Sequence, residues 1–588
     1  MKWSLEELYS SFDSEEYQGD LKVVKKMIED FNSWTDENLN ETTNPQEKLE
    51  KYIEYVVELT RKLTKLMTYP SLTSSVDANN EEALKYLDQL SVLSTELTKP
   101  QVSFQKFIKD LDNLEDVIKS SALLEEHRFY LEEIKKVSQY MLSEKEEVLI
   151  SKMANTGSRA WANLQNKIIS NLLVDIQLDG EKKSLPLPIV RNLAYNKDQE
   201  VRKRAYKAEL ESYKKIEESS AAALNGIKGE VLTTTSLRGY TPLEEVLIQS
   251  RMDKESLDSM FTAIKEYLPV FHKYFKEKAK MLGHKNGLPF YDLFAPVGSV
   301  DKTFSYKEAM DFVVDNFRSF SDKLADYAKT AYEKKWIDVE PREGKQGGAF
   351  CANIHPIGES RIMTNFEGSF SNMTTLAHEL GHGYHGLILK DESILNSRYP
   401  MPIAETASIF CETIVMNAQL KESSDEETLG ILESSIQDAA QVIIDIYSRY
   451  QFESNLFKTR ADHPLSVEEF KSMMLDSQKQ AYGDGLDHDH LHPYMWINKS
   501  HYYSAGRNFY NFPYAFGLLF AKGIYAEYLK RGSDFVEDYD KLLKATGNND
   551  IKDVAAMVDI DITNPDFFRN SLELIKKDID KFISLCNK

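Results

Sequence analysis

Apolar residues recur three and four positions apart over most of this chain, and no other feature limits its fold as strongly. From Leu49 to Tyr69 the sequence LEKYIEYVVELTRKLTKLMTY keeps that spacing, with charges between the apolar positions. Segments 102–119, 121–142 and 198–217 read the same way. Only 17 prolines and 25 glycines punctuate 588 residues, which suits long helices joined by short connections. No fixed-period repeat is present, so a solenoid is not expected. Apolar types at 42% and charged types at 28% exclude a disordered or collagen-like chain. The expectation is a mostly α-helical protein with a sizeable core.

Charge and cysteine usage exclude further classes. With 72 basic and 94 acidic residues the formal charge is −22, which argues against nucleic acid or anionic lipid as a partner, since both require clustered cations. Three cysteines, Cys351, Cys411 and Cys586, are too few for a disulfide framework or a cysteine-rich zinc module. The opening MKWSLEELYSSFDSEE has neither the basic nor the apolar stretch of a secretory signal, and no window approaches 18 apolar residues. A cytoplasmic protein with no membrane association and no obligate protein partner is expected.

The helical rhythm breaks twice. LLVDIQLDGEKKSLPLP, residues 172–188, alternates and turns at Asp179-Gly180, as a short hairpin does. A charged amphipathic helix follows, placing a boundary near 190 between a helical N-terminal region, 1–190, and a second domain, 191–588. The second break, 341–370, is rich in glycine and turn residues with short β-prone runs, and predicts a small sheet.

Immediately beyond lies SNMTTLAHELGHGYHGLIL, a helix that Ser371 or Asn372 can cap. It contains His378-Glu379-Leu380-Gly381-His382, the H-E-x-x-H pattern. One helical turn separates the two histidines, about 40° apart in azimuth, so both imidazoles can reach one ion. Glu379 lies on the flank of that face, placed to touch water at the ion. By composition alone about 0.04 such matches are expected in a chain with 12 histidines and 94 acidic residues. A zinc hydrolase needs a third protein ligand and one open position. His385 sits about 10.5 Å along the axis from His378, too far to share the ion. Ten residues after His378, where the metzincin pattern requires histidine, stands Ile388. The following segment PMPIAETASIFCETIVMNAQL offers Glu405 and Glu412, two turns apart on one face among apolar neighbours. Glu405, nearer the helix start, is the preferred ligand, and Glu412 the supporting acid.

TTLAHELGHGYHG followed by PIAETASIFCE resembles the thimet-oligopeptidase and oligoendopeptidase F family of zinc peptidases, specifically the oligoendopeptidase F branch. The resemblance extends to GGAFCANIH, NFEGSF and VRKRAYKAELESY, and downstream to YGDGLDHDHLHPYMWINKSHYYSAGRNFYNFPYAFG. It implies a two-lobed, zincin-like helical fold with a small sheet beside the active-site helix and a deep substrate cleft. It implies one zinc ion per chain, held by His378, His382 and Glu405, with Glu379 as general base and Glu412 behind the ligands. The NFEGSF strand would pair with the extended substrate. The loop carrying His501 and a cluster of tyrosines would stabilise the oxyanion, with His501 and Tyr514 as donors and Tyr502, Tyr503 and Tyr510 as substrate contacts; the last tyrosine stands one residue later than in the oligopeptidase branch. The implied activity is cleavage of internal bonds in short, unstructured oligopeptides.

Two alternatives accompany that reading: a metallocarboxypeptidase on a related helical scaffold, for which Arg507 is the nearest candidate to grip a terminal carboxylate, and a peptide-binding protein without turnover. Residues His488-Asp489-His490 with His492 read as a solvated loop rather than a second metal site. His355 could contact substrate or sit in a loop, and Cys411 reads as packing rather than a nucleophile.

Overall fold

The computed structural model describes residues 1–178, 180–298 and 302–588. Helices account for nearly all of its regular structure. The Leu49–Tyr69 segment lies inside a helix, Pro45–Val76, that buries Leu49, Tyr52, Ile53, Leu59, Leu63 and Leu66. The segments 102–119 and 121–142 are each broken into two short helices, Thr98–Lys109 with Leu114–Lys119 and Ala122–Glu126 with Arg128–Ser138. Ser121 supplies one reason: its hydroxyl accepts from the Leu124 N–H and caps a new helix. Among the described residues no helix is long and apolar enough to cross a membrane.

Two compact units share the chain, each assembled from separated stretches. The first comprises Met1–Tyr140, Asp301–Lys421 and Glu527–Ile560; the second comprises Met141–Val300, Glu422–Ala526 and Asp561–Lys588. Residue 190 therefore falls inside the second unit. Strands β1 (Leu173–Leu178) and β2 (Glu181–Pro186) form the expected antiparallel hairpin, with Leu178 opposite Glu181; Asp179 of its turn lies outside the described residues. Val174 and Ile176 of β1 join the same apolar cluster as Ala205 and Tyr213 of the following helix, so packing continues across position 190.

The first unit holds a three-stranded sheet. Strands β3 (Ile337–Asp338), β4 (Phe350–Ile354) and β5 (Glu359–Met363) are ordered β3-β5-β4, with β3 parallel and β4 antiparallel to β5. Ile354 and Met363 tie it to a core built on Tyr9, Phe12, Tyr17, Tyr69 and Tyr86. The expected NFEGSF strand is not one. β5 ends at Met363, and Asn365–Ser369 run without strand pairing, held by Phe366 N–H to Val339 C=O (3.0 Å) and Phe304 N–H to Gly368 C=O (2.8 Å). Gly368 has φ +93°, and a Cβ there would stand 2.8 Å from the Phe304 carbonyl oxygen, so only glycine fits this exit from the sheet.

The candidate metal centre

Gly368 delivers the chain directly to the H-E-x-x-H helix, Phe370–Leu389. Its cap is Ser369, ahead of both expected candidates, Ser371 and Asn372, because Ser369 and Asn372 make a reciprocal capping box: the Ser369 hydroxyl accepts from the Asn372 N–H (3.1 Å) and the Asn372 side chain from the Ser369 N–H (3.3 Å). Met373, Leu376, Ala377 and Leu380 bury one face. On that helix Gly381 touches backbone. A Cβ at Gly381 would lie 2.5 Å from the Ala407 carbonyl oxygen and 2.6 Å from Ser408 Cα, at the start of the helix Thr406–Glu422. The two helices thus meet without a side chain between them.

That contact sets the third acid. A short helix, Met401–Ala404, ends at Glu405 (φ −85°, ψ 2°), where the chain unwinds by one residue before Thr406. Glu405 Oε2 lies 3.3 Å from His378 Nε2 and 3.4 Å from His382 Nε2, and also accepts from the Ser408 hydroxyl at 2.8 Å. One ligand atom from each of His378, His382 and Glu405 lies within 4.8 Å of the others. Donors about 2.1 Å from a tetrahedral ion stand about 3.4 Å apart, so the two imidazole–carboxylate spacings match that edge. The residues present therefore fit a divalent cation of borderline softness.

Support comes from behind each ligand. His378 Nδ1 faces Glu412 Oε2 at 3.3 Å, which leaves Nε2 free to ligate in the neutral ring. The Asn353 amide on β4 donates to the His382 carbonyl oxygen at 2.9 Å, tying the sheet to the helix. Burial opposes a charge on His378, but hydrogen bonds to Glu405 and Glu412 outweigh it and raise its pKa to about 10. Burial also pushes Glu405 up, and its bonds to both imidazoles overcome this, holding the carboxyl well below the usual range. Glu379 is only 6% exposed, and burial raises its carboxyl against the pull of His378 and His382.

The remaining candidates divide. His385 is fully buried, stacked on Tyr399 (4.0 Å) and bonded to the Thr546 hydroxyl at 2.8 Å, consistent with its exclusion as a ligand. Cys411 is buried among apolar neighbours, and burial pushes its thiol far up, away from nucleophilic use. His355 opens a short 3₁₀ turn, His355–Ile357, and turns its Nε2 to the Glu392 carbonyl oxygen (3.0 Å). His488 and His490 pair with the Gly483 carbonyl and Asp487, but His492 is 1% exposed, so the solvated-loop reading fails for that residue. The Gln478 side chain fixes its backbone, binding both the His492 N–H (3.0 Å) and its carbonyl (2.8 Å), and the ring lies against Phe290 (5.0 Å between centres).

In the second unit His501 sits in a short 3₁₀ turn, Ser500–Tyr503. Burial, with Arg449, Lys499 and Lys228 nearby, lowers it to about 3, so the ring is neutral near pH 7. Its ring stacks toward Tyr510 (5.9 Å), and the Tyr514 hydroxyl meets the Tyr510 hydroxyl at 3.3 Å; both tyrosines are half-buried. Tyr502 and Tyr503, expected as substrate contacts, are instead core residues, 0% and 2% exposed, packed with Phe452 and Trp496. Arg507 is exposed, its guanidinium 5.5 Å from the Tyr510 ring centre.

Sequence reasoning missed the clamp on this loop. Lys228, fully buried on the helix Glu217–Arg238, binds Glu453 (2.7 Å) and the Asn508 side-chain oxygen (2.9 Å). Glu453 also accepts from the N–H of Phe509 (3.0 Å), whose φ of +48° is strained for a non-glycine residue. The available signal was one lysine amid Ala, Gly and apolar residues in SSAAALNGIKGEV, where a charge has no solvent to face.

A mostly helical fold, an H-E-x-x-H helix and an acid from a later helix converging with both histidines define a metallopeptidase. The model of Peptidase family M3 matches residues 192–574, and that of Oligopeptidase F matches 110–172. The chain belongs to peptidase family M3 and is a metallopeptidase of the oligopeptidase type. It is 25% identical to Oligopeptidase PepF of Bacillus subtilis, over 100% of this chain and 87% of the relative. It is 24% identical to an oligoendopeptidase F homolog of Lactococcus lactis, over 100% and 98%. Among solved structures, oligoendopeptidase-F from Enterococcus faecium superposes with a TM-score of 0.70 at 18% identity, covering 97% of this chain and 99% of that one. A Chlamydophila abortus protein gives 0.86 at 23% identity, covering 99% and 98%.

Proposed function

We propose that this chain is a zinc-dependent oligoendopeptidase that cuts internal bonds of short, unstructured peptides. The convergence of His378, His382 and Glu405 beside a buried Glu379 carries the reading. A zinc ion held by those three residues would supply Lewis acidity and lower the pKa of a water beside it. Glu379, its carboxyl raised by burial, accepts the proton of the attacking water and passes it to the departing amine. Glu412 holds the His378 ring by its Nδ1 side. On the resemblance of their loop, His501 and Tyr514 donate to the carbonyl oxygen as it gains charge, each such donor being worth about 10²–10³ in rate. With NFEGSF outside the sheet, extended substrate pairs instead with β4, which lies at the sheet's end and is bonded on one side to β5.

Metal analysis of the purified protein with a cleavage map of one decapeptide blocked at both ends tests this. About one zinc per chain and cleavage at internal bonds are expected; intact decapeptide in the presence of bound zinc refutes it. Glu379→Gln should keep zinc and lose about 10²–10⁴ in kcat. Undiminished cleavage by that variant removes the proposed base.

A further inference from the structure

We propose that Tyr327, Ser360 and Asn353 are positioning residues for the metal centre, a chain of hydrogen bonds that fixes the helical turn carrying His382. The inference rests on His382 being a metal ligand and adds what holds that ligand in place. His378 is steadied through its ring, where Glu412 faces Nδ1 at 3.3 Å. His382 is steadied through its backbone. That backbone needs outside support, because Gly381 and Gly383 flank it and glycine gives up the most conformational freedom on becoming helical.

Three glycines of this helix each admit a neighbour. Gly381 meets the Ala407–Ser408 backbone, a Cβ at Gly383 would overlap the Tyr327 hydroxyl, and a Cβ at Gly386 would overlap the Asn353 amide. The last two neighbours are the ends of one chain. The Tyr327 hydroxyl donates to Ser360 Oγ (3.1 Å), the Ser360 hydroxyl to Asn353 Oδ1 (2.9 Å), and Asn353 Nδ2 to the His382 carbonyl oxygen (2.9 Å). Tyr327, on the helix Asp322–Glu333, and Ser360, on β5, are 5% and 2% exposed. The far end sets the direction of the whole chain. A carbonyl oxygen only accepts, so Asn353 turns its NH₂ to His382 and its oxygen to Ser360, whose hydroxyl then donates to it and accepts from Tyr327. The Cys351 thiol also reaches Oδ1 (3.8 Å), and Tyr399 bonds the same side chain.

The chain acts on the ligand and not on the fold alone. Within the helix the His382 carbonyl pairs with the N–H four residues on, at Gly386. The Asn353 bond adds a restraint from the sheet at the residue whose ring brings Nε2 within 3.4 Å of Glu405. Without it the Gly-His-Gly stretch is held by helix bonds alone, and a small rotation at Cα is magnified at Nε2, at the far end of the side chain. Outer partners of metal ligands are typically worth roughly 10–100-fold in affinity.

Zinc titration against a competing chelator, and the visible absorption of the cobalt-loaded protein, test this on the full-length chain without turnover. Asn353→Ala should weaken zinc roughly 10–100-fold and shift the cobalt bands, with Ser360→Ala moving both by less and Tyr327→Phe least. Asn353→Ala with Gly386→Ala refills the space left by the amide, and alanine favours the helix. That double variant should regain unfolding stability yet keep the weakened zinc affinity and the altered cobalt spectrum, a separation that packing alone does not produce. Where Asn353→Ala by itself does not fold, the double variant carries the comparison. Zinc bound by Asn353→Ala as tightly as by the unaltered protein overturns the proposal, as does a double variant whose affinity recovers with its stability. His382→Ala tells this proposal from the metal assignment beneath it. If His382→Ala loses zinc and the Asn353 variants do not, the positioning role alone falls; if His382→Ala binds zinc undiminished, the assignment falls and the positioning role with it.

Discussion

His378 stands between two carboxylates, Glu405 on its Nε2 side and Glu412 on its Nδ1 side, each at 3.3 Å. The same arrangement that aims Nε2 at an ion also makes the ring hold its proton until about pH 10 in the metal-free protein. Metal requires the neutral ring, so at pH 7 binding must expel a proton. The sign follows: below pH 10 each unit of pH removes a competing proton, and affinity rises. Zinc affinity measured against a competing chelator should increase about tenfold per pH unit between pH 6 and 8. Glu412→Gln removes one of the two stabilising acids, lowers the His378 pKa and should move the point at which the pH dependence levels off to lower pH. An unchanged levelling-off point in Glu412→Gln would separate Glu412 from His378 energetically.

Between elements, two contacts of very different kinds fix the chemistry. Gly381 lets the H-E-x-x-H helix reach the Ala407–Ser408 backbone, and Glu405 is carried by the residues just before that contact. Gly381→Ala must separate backbones, since the atoms it would meet are backbone atoms of Ala407 and Ser408; about 1–3 kcal/mol of stability should be lost. Zinc affinity should fall with it by at least tenfold. Gly19→Ala in the helix Glu15–Asn38, where nothing beyond the adjoining helix backbone lies within 4 Å of the added Cβ, should lose neither. Denaturant unfolding together with zinc titration separates the two variants. The Lys228–Glu453 pair is the opposite device, a buried charge rather than a missing side chain. Lys228→Met leaves Glu453 buried without its cation and should cost about 3–5 kcal/mol, whereas Lys228→Met with Glu453→Gln should recover part of it. If the pair also positions the loop bearing Tyr510 and Tyr514, the double variant should show reduced kcat with proportionally smaller change in KM.

At the scale of the molecule, what the sequence revealed was local. The 3.6-residue period located Pro45–Val76, and the four-residue step from His378 to His382 needed only a helix to become a pair. Long-range facts left no such trace. Arg361 reaches the Ser4 carbonyl oxygen and Tyr384 reaches Asp540, which is how separated stretches make one unit, and no periodicity records those pairings. The NFEGSF run has strand-forming residues, but the required glycine at 368 turns it out of the sheet. Tyr502 and Tyr503 look identical in sequence to the half-buried tyrosines beyond them, because burial depends on Phe452 and Trp496. The net charge of −22, by contrast, is a property of the whole chain and acts on encounter rather than on fold. A field of that sign attracts cationic peptides and repels anionic ones over about 8–10 Å at ordinary ionic strength. For a blocked peptide carrying two lysines, kcat/KM should fall roughly tenfold between 20 mM and 300 mM salt, while an uncharged peptide of equal length changes little. A paired peptide with two glutamates should show the reverse trend, its kcat/KM rising as salt screens the repulsion. Equal salt dependence for all three would mean that the acidic surface acts on solubility and leaves substrate capture untouched.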